Sequence, residues 1–478
     1  MIYNIILCDA SSIGEKMLEI LNEASDFLWS YIVITLLVVC ALFFTLRLGG
    51  VQFTMFLEML HLLKHSGSGN SKNSPQSHHI SSFRAFAVSL SSRVGTGNLA
   101  GVSSAIFIGG PGAVFWMWIM ALLGSATAFV EATLAQLYKR KGTDAFYGGP
   151  AYYMTHGLRQ RWMGVLFAIL ITLTFGIANQ VVQSNTLCDS LSDTLGIDRL
   201  WVGITLAIAT ILIIFGGVQR IARFSAIVVP IMAVGYIILS LVIVAANINV
   251  LPDILRLIVS SAFGTDQAFG GLVGMAVLQG VKRGLFSNEA GEGSAPNAAA
   301  IADISHPVKQ GLLQALGVFT DTIIICSCTA FIILIAGQYN GDADGIILTS
   351  ISLETVIGPA GKYFLTLAIF LFAYSTIIAN YFYGETNIRF ATSSSKAVMA
   401  FRIFTGFTIL VGSLVSLQTA WSCVDICMGL MTICNLIAIF ILSPKVLSLL
   451  RDYRQQRRDG LDPEYHHKGK DDGVECWQ

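Results

Sequence analysis

The chain has 478 residues, 54% of them hydrophobic and only 12% charged, with 29 Lys and Arg against 29 Asp and Glu. That charged fraction is about half the roughly 25% of soluble domains, which argues against a soluble protein of this length. The even charge balance points away from nucleic acid. The 45 glycines outnumber the 10 prolines and lie inside apolar runs, as in transmembrane helices that pack closely or break on purpose. A disordered chain, a collagen and a disulfide scaffold are excluded, which leaves a polytopic helical membrane protein.

The first 26 residues are acidic, with Asp9, Glu15, Glu19, Glu23 and Asp26 against Lys16, unlike a secretory signal. Apolar runs follow at about 27–46, 83–107, 112–137, 162–187, 200–216, 224–247, 267–303, 310–337, 362–388, 398–416 and 421–443, with a polar loop at 65–79. These make eleven spans. With the N-terminus outside, only Lys16, Arg199, Arg256 and Lys362 of the 29 basic residues fall on the outer side. Arg93, Lys282 and Arg283 fall within spans, and the rest lie in inner loops and a cytoplasmic C-terminal tail. The bias supports both count and orientation. The cysteines form no pair of CxxC units, and Cys423 and Cys427, on one helix face, have no histidine nearby. They read as packing residues rather than a metal site.

Beyond the first span, 83–247 and 267–443 each hold five spans, and each five begins with a span interrupted by glycine and polar residues. Five is odd, so the halves have opposite orientations, the plan of inverted-repeat secondary transporters. The expected segments are 1–81 (N-terminal outside segment, extra helix and cytoplasmic loop), 82–247 and 248–444 (the two repeats), and 445–478 (the tail).

In the first break, "SSRVGTGNLAG" at 91–101, glycines alternate with Thr96 and Asn98 beside Arg93. An unwound stretch there frees carbonyls for a cation and aims half-helix amides at an anion such as a carboxylate; the plainer alternative is a glycine-rich helix crossing. The second, "GLFSNEAGEGSAPNAAA" at 284–300, puts Ser287, Asn288, Glu289 and Glu292 into an apolar span. Its alternatives are a surface loop at 282–296 or a nucleophilic serine, although the nearest histidine is His306. Asn179 and Gln183 share a helix face, fit either for a polar cavity or for helix–helix hydrogen bonds. Adjacent Ser375 and Thr376, with Asn380 one turn on, either bond back to their own helix or offer oxygens to a hard cation. Glu131 is expected to pair with a basic residue near the inner face.

"SSRVGTGNLAGVSSAIFIGGPGAVFWMW", "GGPAYYM" and "RGLFSNEAGEGSAPNAAA" resemble the alanine or glycine:cation symporter family over about 80–445. The resemblance implies an all-α polytopic membrane protein with the leucine-transporter type of fold, a 5+5 inverted repeat preceded by one N-terminal helix. It also implies sodium as coupling ion, with no other cofactor. Carbonyls of Ser91, Val94 and Phe372 and hydroxyls of Ser375 and Thr376 would hold one sodium, and Asn98 a second. Thr96 and Gly97 would take the substrate carboxylate, and Gln183, with Asn179, the ammonium or side chain. Phe286, Ser287 and Asn288 would line the other broken helix. Many alanine transporters of the family carry tryptophan where this chain has Asn380, which leaves room for a longer substrate such as glutamine. The resulting expectation is a sodium-coupled symporter of the cytoplasmic membrane that imports alanine, glycine or glutamine by alternating access among membrane lipid. Its rivals are a proton-coupled transporter, an ion channel and an intramembrane enzyme. No repeated filter motif is present, and the eight histidines lie in loops and tail.

Overall fold

The computed structural model describes residues 21–66, 80–142, 145–264, 273–339, 341, 343–415, 417–467, 469 and 473–477, with the side chains of 417–423 outside that description. Most of the acidic N-terminal stretch, the loop expected at 67–79, the start of the run expected at 267 and the Cys423 side chain therefore lie outside the described residues.

The protein is almost entirely helical. In chain order the helices are α1 Leu21–Arg47, α2 Phe56–His65 (preceded by a single turn, Val51–Thr54), α3 Ser82–Arg93, α4 Gly97–Gly109, α5 Gly112–Leu137, α6 Pro150–His156, α7 Arg161–Leu195, α8 Arg199–Ile214 and α9 Gly217–Ala246. Then follow α10 Leu251–Ala262, α11 Val273–Asn288, α12 Ala295–Ala299, α13 Pro307–Ala336, α14 Gly345–Ile357, α15 Ala360–Ala391, α16 Ser395–Gly412 and α17 Leu417–Arg458. A short hairpin pairs β1 Arg140–Lys141 with β2 Phe146–Tyr147. Among the described residues, eight helices are long and apolar enough to cross a membrane: α1, α5, α7, α9, α13, α15, α16 and α17.

The distribution of side chains is that of a membrane protein. Helix α9 exposes Ile227, Ile231, Ile238 and Leu241, spaced three, four and seven apart along one face, where lipid rather than water makes exposure favourable. Polar groups instead lie inside: Ser91, Asn98, Glu131, Asn179, Gln183 and Asp321 are all buried. Helix α5 forms a spine against which α11, α13 and α1 pack, and α3 lies between α9 and α15.

Two helical runs are interrupted in the interior. The first breaks between α3 and α4 at Val94–Thr96, within the stretch the sequence marks at 93–98. The second breaks between α11 and α12, where every residue from 284 to 302 is buried. The surface-loop alternative for 282–296 is thereby overturned, because neighbouring helices supply the hydrogen bonds that water would give a loop. The connecting helices α10 and α14 carried no distinct signal in the sequence; both are short and half-exposed.

The far ends of the two broken runs meet at one end of the bundle. Ile80 bridges Ala302, Asp303 N–H donates to the Ile80 carbonyl at 2.9 Å, and Lys139 Nζ donates to the Ala302 carbonyl at 2.9 Å. Burial pushes the Lys139 ammonium down to about 8, against the opposing pull of Asp303 and Cys476. The C-terminal segment lies over this seam: Trp477 Nε1 donates to the Gln136 carbonyl at 2.9 Å, and Arg140 pairs with Glu475 at 2.5 Å.

Lys282 on α11 and Asp425 on α17 form an ion pair at 2.6 Å with both side chains 10% exposed. Breaking such a pair from one side leaves a buried charge and costs about 3–5 kcal/mol. Lys282→Met is expected to lower the unfolding temperature in detergent by several degrees, as read by a thermal scan; an unchanged midpoint would show that Asp425 finds another partner.

Candidate functional site

The first break begins where α3 loses its hydrogen-bond ladder. The Gly95 N–H, which would close a turn on the Ser91 carbonyl, donates instead to Asn98 Oδ1 at 2.9 Å. The last carbonyls of α3 are thus left without helical donors. In the second break, Glu289 adopts φ 55°, Gly291 φ 93° and Gly293 φ 84°, a left-handed path that glycine takes freely and glutamate only under constraint. The constraint comes from flanking helices. Glu131 on α5 accepts the Gly291 N–H at 3.3 Å, and Asn435 on α17 donates to the Gly291 carbonyl and to Glu131, each at 2.9 Å. Ser92 Oγ donates to Glu289 Oε1 at 2.5 Å and so ties the two breaks together. Among the described residues Glu131 therefore forms no ion pair with a basic residue as expected; its hydrogen-bond partners are amides, because an unwound backbone in an apolar interior needs such partners more than a surface charge does.

The first break faces α15 through oxygen atoms. Thr376 Oγ1 stands 3.0 Å from the Ser91 carbonyl, 3.4 Å from Ser92, 3.3 Å from Val94 and 3.0 Å from Phe372. Ser375 Oγ lies 2.9 Å from the Phe372 carbonyl, and Ser91 Oγ donates to the Ser375 carbonyl at 2.8 Å. One hydroxyl proton cannot serve four carbonyls. The cluster is rich in oxygen, poor in protons and free of carboxylates, a donor set that suits a hard monovalent cation. The structure thus brings Ser91, Val94, Phe372, Ser375 and Thr376 to one place, although α3 and α15 are separated by almost three hundred residues.

Beside this cluster a narrow cavity opens between the two breaks, with Gly97, Asn179, Gln183 and Phe286 in its wall. The Thr96 N–H reaches Gln183 Oε1 at 3.3 Å, and Gln183 Nε2 donates to Asn179 Oδ1 at 3.2 Å. A Cβ on Gly97 would lie 3.0 Å from the Phe286 ring, so glycine keeps the α4 amides open to the cavity.

Three other expected residues, Ser287, Asn288 and Asn380, point away from the cavity. Ser287 Oγ donates to Asp321 Oδ2 at 2.6 Å, and Asn288 Nδ2 donates to Thr322 Oγ1 at 3.1 Å, so both face α13. Asn380 Oδ1 lies 2.8 Å from Ser92 Oγ, whose one proton goes to Glu289, so Asn380 sits behind Ser92, which itself lines the cavity. Asn98 Nδ2 donates to Asp321 Oδ1 at 2.7 Å and to Ser287 Oγ at 3.1 Å. Asp321 is the residue that sequence reasoning missed; its signal was available, as an acidic side chain inside the apolar run 310–337.

The family model described as the sodium:alanine symporter family matches residues 14–467. The chain is 49% identical to the probable sodium/glutamine symporter GlnT of Bacillus subtilis over 467 residues, covering 97% of each protein. It is 46% identical to the amino-acid carrier protein AlsT of the same organism, covering 94% of this chain and 95% of the relative. It is 37% identical to the sodium/alanine symporter AgcS of Methanococcus maripaludis, covering 92% and 98%. Among solved structures, MhsT in complex with L-phenylalanine superposes with a TM-score of 0.54 at 14% identity, over 79% of this chain and 99% of that one, a likeness of fold.

Proposed function

The chain belongs to the sodium:alanine symporter family, and from that premise we propose that it imports a small neutral amino acid, drawn from alanine, glycine and glutamine, together with sodium by alternating access. The observation that carries this reading is the oxygen cluster between α3 and α15. Carbonyls of Ser91, Val94 and Phe372 and hydroxyls of Ser375 and Thr376 would hold the ion, and the ion supplies the attraction that fastens the two helices together. Asn98 takes part in a second cation site, with Ser287 and the Asp321 carboxylate beside it.

The substrate carboxylate sits on the amides of Thr96 and Gly97, at the N-terminal end of α4, where the helix dipole favours an anion. Gln183 and Asn179 face the ammonium, Phe286 packs against the substrate, and Ser287 and Asn288 hold the second break against α13. Helices α3 and α4 form one span and α11 and α12 another, so that with α8 the eleven spans are one N-terminal helix followed by two inverted fives. The N-terminus lies outside and the tail on the cytoplasmic side of the cell membrane. The names of GlnT and AgcS support glutamine and alanine as substrates of this kind of protein.

Uptake of a panel of labelled amino acids into proteoliposomes, with and without an inward sodium gradient, tests the reading. A neutral amino acid should accumulate only with the gradient; equal uptake in its absence would contradict sodium coupling. Asn380 supports the wall of the cavity through Ser92, and Asn380→Trp is expected to shift preference toward alanine and glycine. Competition assays on wild type and variant check this, and an unchanged order of preference would leave Asn380 with a packing role only.

A further inference from the structure

Besides Asp321, which Asn98 and Ser287 hold, four ionisable side chains gather at the breaks: Arg93 from α3, Glu131 from α5, and Glu289 and Glu292 from the second break, all buried. They divide into two classes. Glu131 is held by the Gly291 N–H and by Asn435, and Glu289 by the hydroxyls of Ser92 and Ser294, the latter at 2.5 Å. Arg93 and Glu292 differ. Arg93 Nη1 donates to the Gln314 carbonyl at 3.2 Å, but among the described residues Arg93 Nε and Nη2 have no hydrogen-bond partner. Neither carboxyl oxygen of Glu292 has one either.

Arg93 is 2% exposed and Glu292 fully buried. Both line the same narrow cavity as Gly97, Asn179, Gln183 and Phe286. Their places are built rather than incidental. A Cβ on Gly317 would stand 2.3 Å from Arg93 Nη1, so glycine there makes room for the guanidinium. Glu292 is carried between the left-handed Gly291 and Gly293. A buried polar group left unpaired costs about 1–3 kcal/mol, and more if charged. Of these four, only Arg93 and Glu292 keep unpaired polar atoms among the described residues, and they line the cavity together with the fully bonded Glu289.

We propose that Arg93 and Glu292 read the side chain of the substrate, and that the side chain they fit is a terminal primary carboxamide, as in glutamine. The guanidinium donates N–H bonds to the carboxamide oxygen, and the Glu292 carboxyl accepts from the carboxamide NH₂. A side-chain carboxylate would set an anion against Glu292. An ammonium would set a cation against Arg93. An alkyl or thioether chain would leave both residues unpaired, and a site whose polar groups are left unpaired rejects such an analogue strongly. This assignment rests on the amino-acid transport reading and narrows it to one class of side chain.

The test is competition for sodium-driven uptake of labelled glutamine and labelled alanine by wild-type protein in proteoliposomes, with unlabelled glutamine, glutamate, methionine and alanine as competitors. Glutamine should compete at concentrations roughly tenfold or more below methionine and alanine, and glutamate, which replaces only the NH₂ by oxygen, should fail to compete. In Glu292→Met the preference for glutamine over methionine should shrink by roughly 10- to 100-fold, the loss of one hydrogen bond to a charged group. Methionine or alanine competing as well as glutamine in wild type would overturn the assignment, and so would a transport-competent Glu292→Met with the wild-type preference. If that variant fails to insert, the wild-type order decides alone. Absence of sodium-driven uptake of every neutral amino acid would be a different failure, that of the transport reading itself.

Discussion

Replacing Ser375 and Thr376 together by alanine is expected to raise the sodium concentration for half-maximal uptake by about two orders of magnitude or more, since the proposed set of about five oxygens would lose two and each charge-assisted contact is worth about 1.5–3 kcal/mol. The fold should survive. Both hydroxyls lie against the Phe372 carbonyl of their own helix, and the bond from Ser91 Oγ ends on the Ser375 backbone, which alanine keeps. Thr376→Ser retains the oxygen and should stay close to wild type. Sodium-activation curves of uptake for the three proteins give the result. A double variant with unaltered sodium dependence would remove the ion from this place.

Gly97→Val should abolish substrate binding. The added Cβ would stand 3.0 Å from the Phe286 ring and 3.5 Å from the Ser287 backbone, and the two methyl groups beyond it would fill the space in front of the α4 amides. Phe286 lines the same cavity, so a ring displaced by the clash competes with the substrate for that space. Calorimetry on variant protein that elutes as wild type and unfolds cooperatively reads the outcome. Retained binding would mean that the carboxylate sits away from the start of α4. Gly95 is tighter still: a Cβ there would lie 2.5 Å from Thr376 Oγ1, so Gly95→Ala should disturb sodium and substrate together.

What the chain discloses before folding is unequal, and the reason is physical. Breaks in membrane helices are visible because glycine and polar side chains are costly in an apolar run unless something holds them, so 93–98 and 284–296 could be located from residue types alone. The pairing of Ser375 with its neighbour Thr376 was visible for the same reason. Which way a residue beside a break turns was not. Phe286 faces the cavity while Ser287 and Asn288, each rotated by about 100° from the one before, face α13. Only the packing of α11 decides that. The partners of a buried acid were equally hidden. Asp321 meets Asn98, and Glu131 meets Gly291 and Asn435, across separations of 223, 160 and 304 residues. No local pattern encodes such meetings. The division between satisfied Glu289 and unsatisfied Glu292, three residues apart, likewise exists only in three dimensions.

If one ion fastens α3 to α15 beside the substrate, sodium and an amino acid must cross together. Dual-label flux tests it most directly: radioactive sodium and a labelled neutral amino acid followed at once into proteoliposomes holding wild-type protein. Sodium influx should require the amino acid, amino-acid accumulation should require sodium, and the two initial rates should keep a fixed ratio as either concentration is varied. Sodium entering at the same rate without the amino acid, or the amino acid accumulating after the sodium gradient has been collapsed, would contradict it.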